Sequence, residues 1–208
     1  MFQLDPELET FRQDARAMAE RAFAPKAAYW DEEEIYPTEN LKLLAELGYL
    51  GIVIPEEYGG SGAPIIQGTL LLEEIARVCF NTALVAQGAI NGPSRAITIL
   101  GNEEQKKRWL PGCVSGENIF GIGISEPGAG SAMTDMITSA TPDGDHIILN
   151  GQKCFCTGGH VATHILVFAR WGKTQGPRGI GALVVEKGTP GFEIGHPGPK
   201  MGGRGVAE

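Results

Sequence analysis

Glycine is distributed unevenly along this 208-residue chain: 8 of its 30 glycines fall in residues 1–100 and 22 in residues 101–208. Glycine weakens helix interiors and marks turns and close backbone approaches. The chain therefore changes architecture near its middle. The expected class is α+β, with an N-terminal α-helical bundle over residues 1–116 followed by an antiparallel, barrel-like β domain over residues 117–208.

The helical reading follows apolar spacing and caps. Asp5 and Pro6 suit a helix start, after which Leu8, Phe11, Ala15, Met18 and Ala22 recur at three- and four-residue intervals. An acidic turn is expected at residues 31–34, then a short helix through Leu41, Leu44 and Ala45 with Gly48 as its C-terminal cap. Residues 49–64 are too rich in Gly and Pro for a helix and read as a loop that turns the chain back. A third helix carries Ile66, Leu70, Glu74, Ile75 and Val78. A fourth starts at Thr82 and is broken by Gly92-Pro93, and a fifth covers residues 94–100. Asn102 caps a sixth, with Glu103 and Glu104 in its first turn and Lys106, Lys107 and Arg108 later.

From residue 118 the period changes to two. Ile147, Leu149 and Gly151 alternate with His146, Ile148 and Asn150, and residues 165–168 and 182–185 read as buried strands. Pro142-Asp143-Gly144-Asp145 supplies a hairpin turn between residues 136–138 and the His146 strand. The closing KMGGRGVAE stops without a finishing strand or helix, so the chain is expected to be cut rather than concluded.

Several function classes are excluded on composition. Acidic residues outnumber basic ones by 25 to 17, for a formal charge of −8, which argues against a nucleic-acid-coating surface. Cys79, Cys113, Cys154 and Cys156 are too few for a disulfide scaffold and are read as reduced thiols. The opening MFQLDPELETF lacks a basic and then apolar secretory signal, so the cytoplasm is the default expectation. Residues 82–100 are weakly charged but carry Gln87, Asn91, Pro93 and Arg95, so they read as buried helix and not as a membrane span.

Accidental motifs fall next. Gly121-Ile122-Gly123 lacks the third glycine of a dinucleotide fingerprint, and Gly172-Lys173-Thr174 has Val167 where a P-loop needs its leading glycine. His160 and His164 lack the intervening Glu of a zinc-protease helix, and Cys154 with Cys156 lacks a second ligand pair. No metal is assigned. Two segments remain. FGIGISEPGAGSA, residues 120–132, runs apolar strand residues into a turn of small residues whose amides could cradle an anion; a plain tight turn explains it equally well. NGQKCFCTGG, residues 150–159, places the Phe155 ring and the Thr157 hydroxyl two residues apart on one face, a pair that by itself also reads as packing.

Together and in this order these residues resemble the acyl-CoA dehydrogenase family. EEYGGSG (56–62), GNEEQKKRWLP (101–111), ISEPGAGS (124–131) and NGQK (150–153) are similar to family landmarks at their expected spacing. The resemblance implies a helical domain followed by a β domain that contacts FAD. Ile124 and Ser125 would lie along the pyrimidine edge of FAD, in a contact segment that includes Ile122 and Gly123. Gly130 and Ser131 would approach its pyrophosphate, with Ser131 also near the CoA moiety. Phe155 would pack on the isoalloxazine, and Thr157, with Cys156 between them, would donate to flavin N5. Ala89 and Asn91, at the helix break before Gly92, would line the acyl pocket.

The resemblance has two departures. Ala132 stands where the family pattern usually continues with Asp, which puts the order of the turn in doubt. The family's C-terminal helical domain, which supplies its catalytic Glu, has no counterpart in residues 1–208, so the base is expected beyond Glu208 and the chain alone is expected to be inactive. The implied activity is α,β-dehydrogenation of an acyl-CoA thioester, with electrons passing to an electron-transfer flavoprotein and the full-length protein forming a homotetramer. An oxidase or desulfinase on the same scaffold, or a non-catalytic subunit needing a second chain, are the alternatives.

Overall fold

Asp5 starts the first helix by accepting the Leu8 amide at 2.9 Å while Pro6 occupies the first helical position, so α1 runs Pro6–Ala22 and buries Ala15, Met18 and Ala19. The structure, a computed structural model, describes residues 3–172, 174 and 176–208. Met1 and Phe2 of the N-terminal reading, and Lys173 of the Gly172-Lys173-Thr174 match, lie outside the described residues.

The following elements are α2 (Ala27–Glu32), α3 (Thr38–Glu46), α4 (Ile65–Ala76), α5 (Phe80–Asn91), α6 (Pro93–Leu100) and α7 (Glu103–Ser115). The expected acidic turn is shorter than the sequence suggests, because α2 occupies residues 27–32. A helix this short is marginal alone, and Trp30, 4% exposed in the core, anchors it. Asn102 and Gln105 cap α7 reciprocally, and the helix continues past Pro111 until Gly116 turns left-handed at φ 77°. Residues 49–64 form the expected loop, but an apolar one, with Leu50, Ile52, Val53 and Ile54 buried. Gly60 is required there, since a Cβ would stand 2.0 Å from the Ile54 carbonyl oxygen.

The chain divides into two compact units, one comprising the helices up to Ile119 with Pro197–Ala207, the other Phe120–His196 with Glu208. The helical core joins α1, α4 and α5 through Phe23, Leu71, Ile75, Ala86 and Ile90. Residues 197–207 are fastened to it at three points. Val206 is buried among the helices, the Gly205 amide donates to Asn81 Oδ1 at 3.0 Å, and the Arg204 amide donates to Asp31 Oδ1 at 2.9 Å.

In the second unit β1 (Phe120–Gly123), β2 (Ser139–Asp143), β3 (His146–Asn150), β4 (His164–Trp171) and β5 (Ile180–Glu186) form one five-stranded sheet among the described residues. The α+β class stands, and the sheet is mixed and open. β2 with β3 and β4 with β5 are antiparallel, whereas β1 and β2 each lie parallel to β4. Parallel pairing needs long connections, and residues 124–138 and 151–163 supply them. They carry the two motif segments. Ile165 and Val167 are buried on β4 with Ala162, while Ile147 and Ile148 on β3 are 45% and 52% exposed.

Candidate functional site

Ile122 and Gly123 close β1 by pairing with Leu166 and Val167, and the chain then leaves the sheet. The excursion is tied at its neck by one carboxylate. Glu126, 6% exposed, accepts the Ile137 amide at 2.7 Å and the Thr138 amide at 3.0 Å, so residues 126–138 close into a compact loop. Inside it, the Glu126 and Ala129 backbones exchange hydrogen bonds at 2.9 and 3.1 Å. Arg170 on β4 secures the returning limb by donating to the Thr134 and Met136 carbonyls. Residues 127, 128 and 130–135 are exposed above these anchors. The order left in doubt by Ala132 comes from the backbone, where the Asp135 amide donates to the Ala132 carbonyl at 2.9 Å.

The second motif segment lies against the first. Lys153 Nζ donates to Glu126 Oε1 at 2.7 Å and to the Ile124 carbonyl at 3.0 Å, and the Cys154 amide donates to the Ser125 carbonyl at 2.9 Å. Burial alone pushes the Glu126 carboxyl up, but hydrogen bonds from Lys153, Thr138 and the Ile137 amide outweigh it and hold the group at about 2. Phe155 follows with a left-handed φ of 56° and 74% exposure, an unusual combination for an aromatic residue. Thr157 Oγ1 donates to Glu208 Oε1 at 3.0 Å. Burial, and secondarily Cys154, pushes the Cys156 thiol between them above its ordinary range.

The exposed tip keeps hydrogen-bonding capacity in reserve. Among the described residues, the Ser125 and Ser131 hydroxyls and the Gly130 and Ser131 amides have no intramolecular partner. A Cβ on Gly128 or Gly130 would meet nothing within 4 Å, and neither φ is left-handed, so the chain's own packing and backbone do not demand glycine at either position.

Ala89 and Asn91 belong to the helical unit, at the end of α5. Ala89 is half-buried and Asn91 exposed. A cleft of about 600 Å³ in the same unit, lined by Lys26, Tyr29, Trp30 and Tyr36 among others, includes neither. Sequence reasoning left Glu126, Lys153, Thr138 and Arg170 without roles. The available signal was a carboxylate in one landmark and an ammonium in the next, with no partner at local spacing for either. Among the described residues no three His, Cys, Asp or Glu side chains converge as a metal set would, and no helix is long and apolar enough to cross a membrane.

The family profile described as "Acyl-CoA dehydrogenase, N-terminal domain" matches residues 5–117, and that described as "Acyl-CoA dehydrogenase, middle domain" matches residues 121–208. The chain belongs to the acyl-CoA dehydrogenase family. It is 38% identical over 201 residues to a short-chain-specific acyl-CoA dehydrogenase of Clostridium acetobutylicum, covering 97% of this chain and 53% of that one. Butyryl-CoA dehydrogenase from Megasphaera elsdenii superposes with a TM-score of 0.91 at 33% identity, covering 100% of this chain and 55% of that one. The FAD complex of PigA superposes with a TM-score of 0.93 at 25% identity, with 100% and 55% covered. As an acyl-CoA dehydrogenase family member, the chain spans about half the length of the curated relatives it matches.

Proposed function

We propose that this chain forms the flavin- and acyl-positioning half of an FAD-dependent acyl-CoA dehydrogenase, which desaturates a CoA thioester between its α and β carbons. The observation that carries the reading is the turn of residues 124–131, which is exposed at residues 127, 128, 130 and 131. It is rigidly anchored, yet it offers hydroxyl and amide donors without partners and a glycine whose missing Cβ the chain itself does not require. Such a donor set suits a pyrophosphate and a heterocycle edge without basic side chains. A solved structure with the same fold is an FAD complex, which supports FAD as the cofactor.

On this reading the Gly130 and Ser131 amides hold the pyrophosphate, and Ile122 to Ser125 line the pyrimidine edge. Phe155 presents an apolar face to the ring system, and the Thr157 hydroxyl is turned from Glu208 towards the cofactor. FAD, when bound, supplies a hydride acceptor at N5. Ser131 also meets the CoA portion of the substrate, and Ala89 and Asn91 contact the acyl chain. These residues orient substrate and exclude water, whereas the carboxylate that removes the α proton is assigned to the half of the relatives' length that lies outside the matched region. Transfer of electrons to an electron-transfer flavoprotein, homotetrameric assembly and a cytoplasmic location are part of the same proposal and rest on the family resemblance.

The test is anaerobic mixing of the FAD-loaded holoenzyme with a panel of acyl-CoA thioesters. Bleaching of the flavin band by at least one thioester is expected. Absence of bleaching with every thioester would overturn the dehydrogenase reading.

A further inference from the structure

The Lys153 and Glu126 side chains are 9% and 3% exposed, so both groups surrender hydration to form their 2.7 Å contact. Packing alone does not call for that, since an apolar pair of similar volume fills such a site at least as well. What an apolar pair lacks is direction. Lys153 fixes the Ile124 carbonyl and the Glu126 carboxylate, which flank Ser125, and the adjacent Cys154 amide fixes the Ser125 carbonyl. Two consecutive residues of one segment thus grip three consecutive residues of the other. Phe155 and Thr157 follow directly, so a slip of one position in this contact would displace both side chains relative to residues 124–126. The same carboxylate closes the neck of the loop on the Ile137 and Thr138 amides.

We propose that Lys153 and Glu126 are paired positioning residues that set the register between residues 124–126 and 153–157, so that the donors of both segments address one ligand together. The proposal rests on the FAD reading above and extends it to two residues that touch no cofactor. Their charges are retained for geometry, because the directed donors of one ammonium and the acceptors of one carboxylate orient the Ile124 carbonyl and the Ile137 and Thr138 amides at once.

The pair is tested with the full chain in three forms: wild type, the double substitution Glu126→Leu with Lys153→Met, and the milder Glu126→Gln. The double substitution leaves no lone buried charge, but it strands the Ile137 and Thr138 amides, so it is expected to fold and to melt below wild type. FAD binding, followed by flavin fluorescence, is expected to weaken at least tenfold in it. Hydrogen exchange at the Cys154 amide is expected to quicken at least tenfold while exchange in α1 and α4 stays unchanged. Glu126→Gln, which keeps the side-chain shape, is expected to move both readouts in the same direction by less. Should the double variant not fold, Glu126→Gln decides. Wild-type FAD affinity together with wild-type Cys154 protection in whichever variant folds would overturn the proposal. A wild-type chain that does not bind FAD would overturn the cofactor reading instead, and Cys154 exchange would still decide whether the pair sets the register.

Discussion

The Ser94 hydroxyl donates to the Ala89 carbonyl across the junction of α5 and α6. An uninterrupted helix would have satisfied that carbonyl with the amide of residue 93, but Pro93 has none. Ser94, 2% exposed, thus repairs the break that Gly92-Pro93 introduces beside the proposed acyl contacts.

Ser94→Ala is therefore expected to cost about 1–3 kcal/mol, the penalty for stranding a partly buried carbonyl. In a chain of this size the melting temperature should fall by roughly 2–4 °C for each kcal/mol. Thermal unfolding of the variant checks this, and an unchanged melting temperature would contradict the junction's dependence on that hydroxyl.

Acid should weaken the β unit through Glu126. Its folded-state value, about 2, lies below the ordinary 4.5, so the unfolded chain takes up the proton first as pH falls. The stabilisation is fully present above about 4.5 and is lost progressively as pH falls towards about 2. Unfolding free energies measured by urea titration across that window should fall less steeply for Glu126→Gln than for wild type. Parallel slopes would show that the carboxylate is not held low.

Phe155 carries a backbone cost with little burial to offset it. A left-handed conformation disfavours a residue with a Cβ by about 1–2 kcal/mol, and the ring is 74% exposed. Phe155→Gly is expected to stabilise the chain by about 1 kcal/mol while weakening FAD binding. A destabilised variant with unaltered FAD affinity would mean that the ring serves the fold and not the ligand.

Gly205 admits the C-terminal segment to the helical core. A Cβ there would lie 2.4 Å from the Ile35 carbonyl oxygen and 2.7 Å from that of Trp30. Gly205→Ala should release residues 197–207 from the helices, seen as faster amide exchange at Gly205 and Val206 with α1 unaffected. Retained protection at both amides would contradict the fit.

The helices were legible because their boundaries are written locally. Asp5-Pro6, Gly92-Pro93 and the Asn102 cap each act within one turn of chain, and the structure uses all three. The mixed sheet was not, because strand periodicity reports which residues alternate and says nothing of whether β1 lies parallel to β4. The short helix α2 depends on Trp30 reaching a core assembled from distant segments, which local propensity does not contain. The same holds for Val206, a lone valine in a glycine-rich stretch that joins the helical core. At the candidate site, the exposed turn and the Phe155 segment could be read from their small and aromatic residues. The Lys153–Glu126 contact spans 27 positions and has no local signature, so the element that fastens the two segments was the part left unread.

The central claim is that the tip of residues 124–131 is shaped for a ligand and not for the chain. Gly130→Val separates these directly, since the added side chain starts from a position with open space and no left-handed φ. FAD should be titrated against wild type and variant, with melting temperature recorded alongside. The account predicts saturable binding by wild type and at least tenfold weaker binding by Gly130→Val at an unchanged melting temperature. Equal affinity for FAD in the two proteins, or no binding by either, would contradict it.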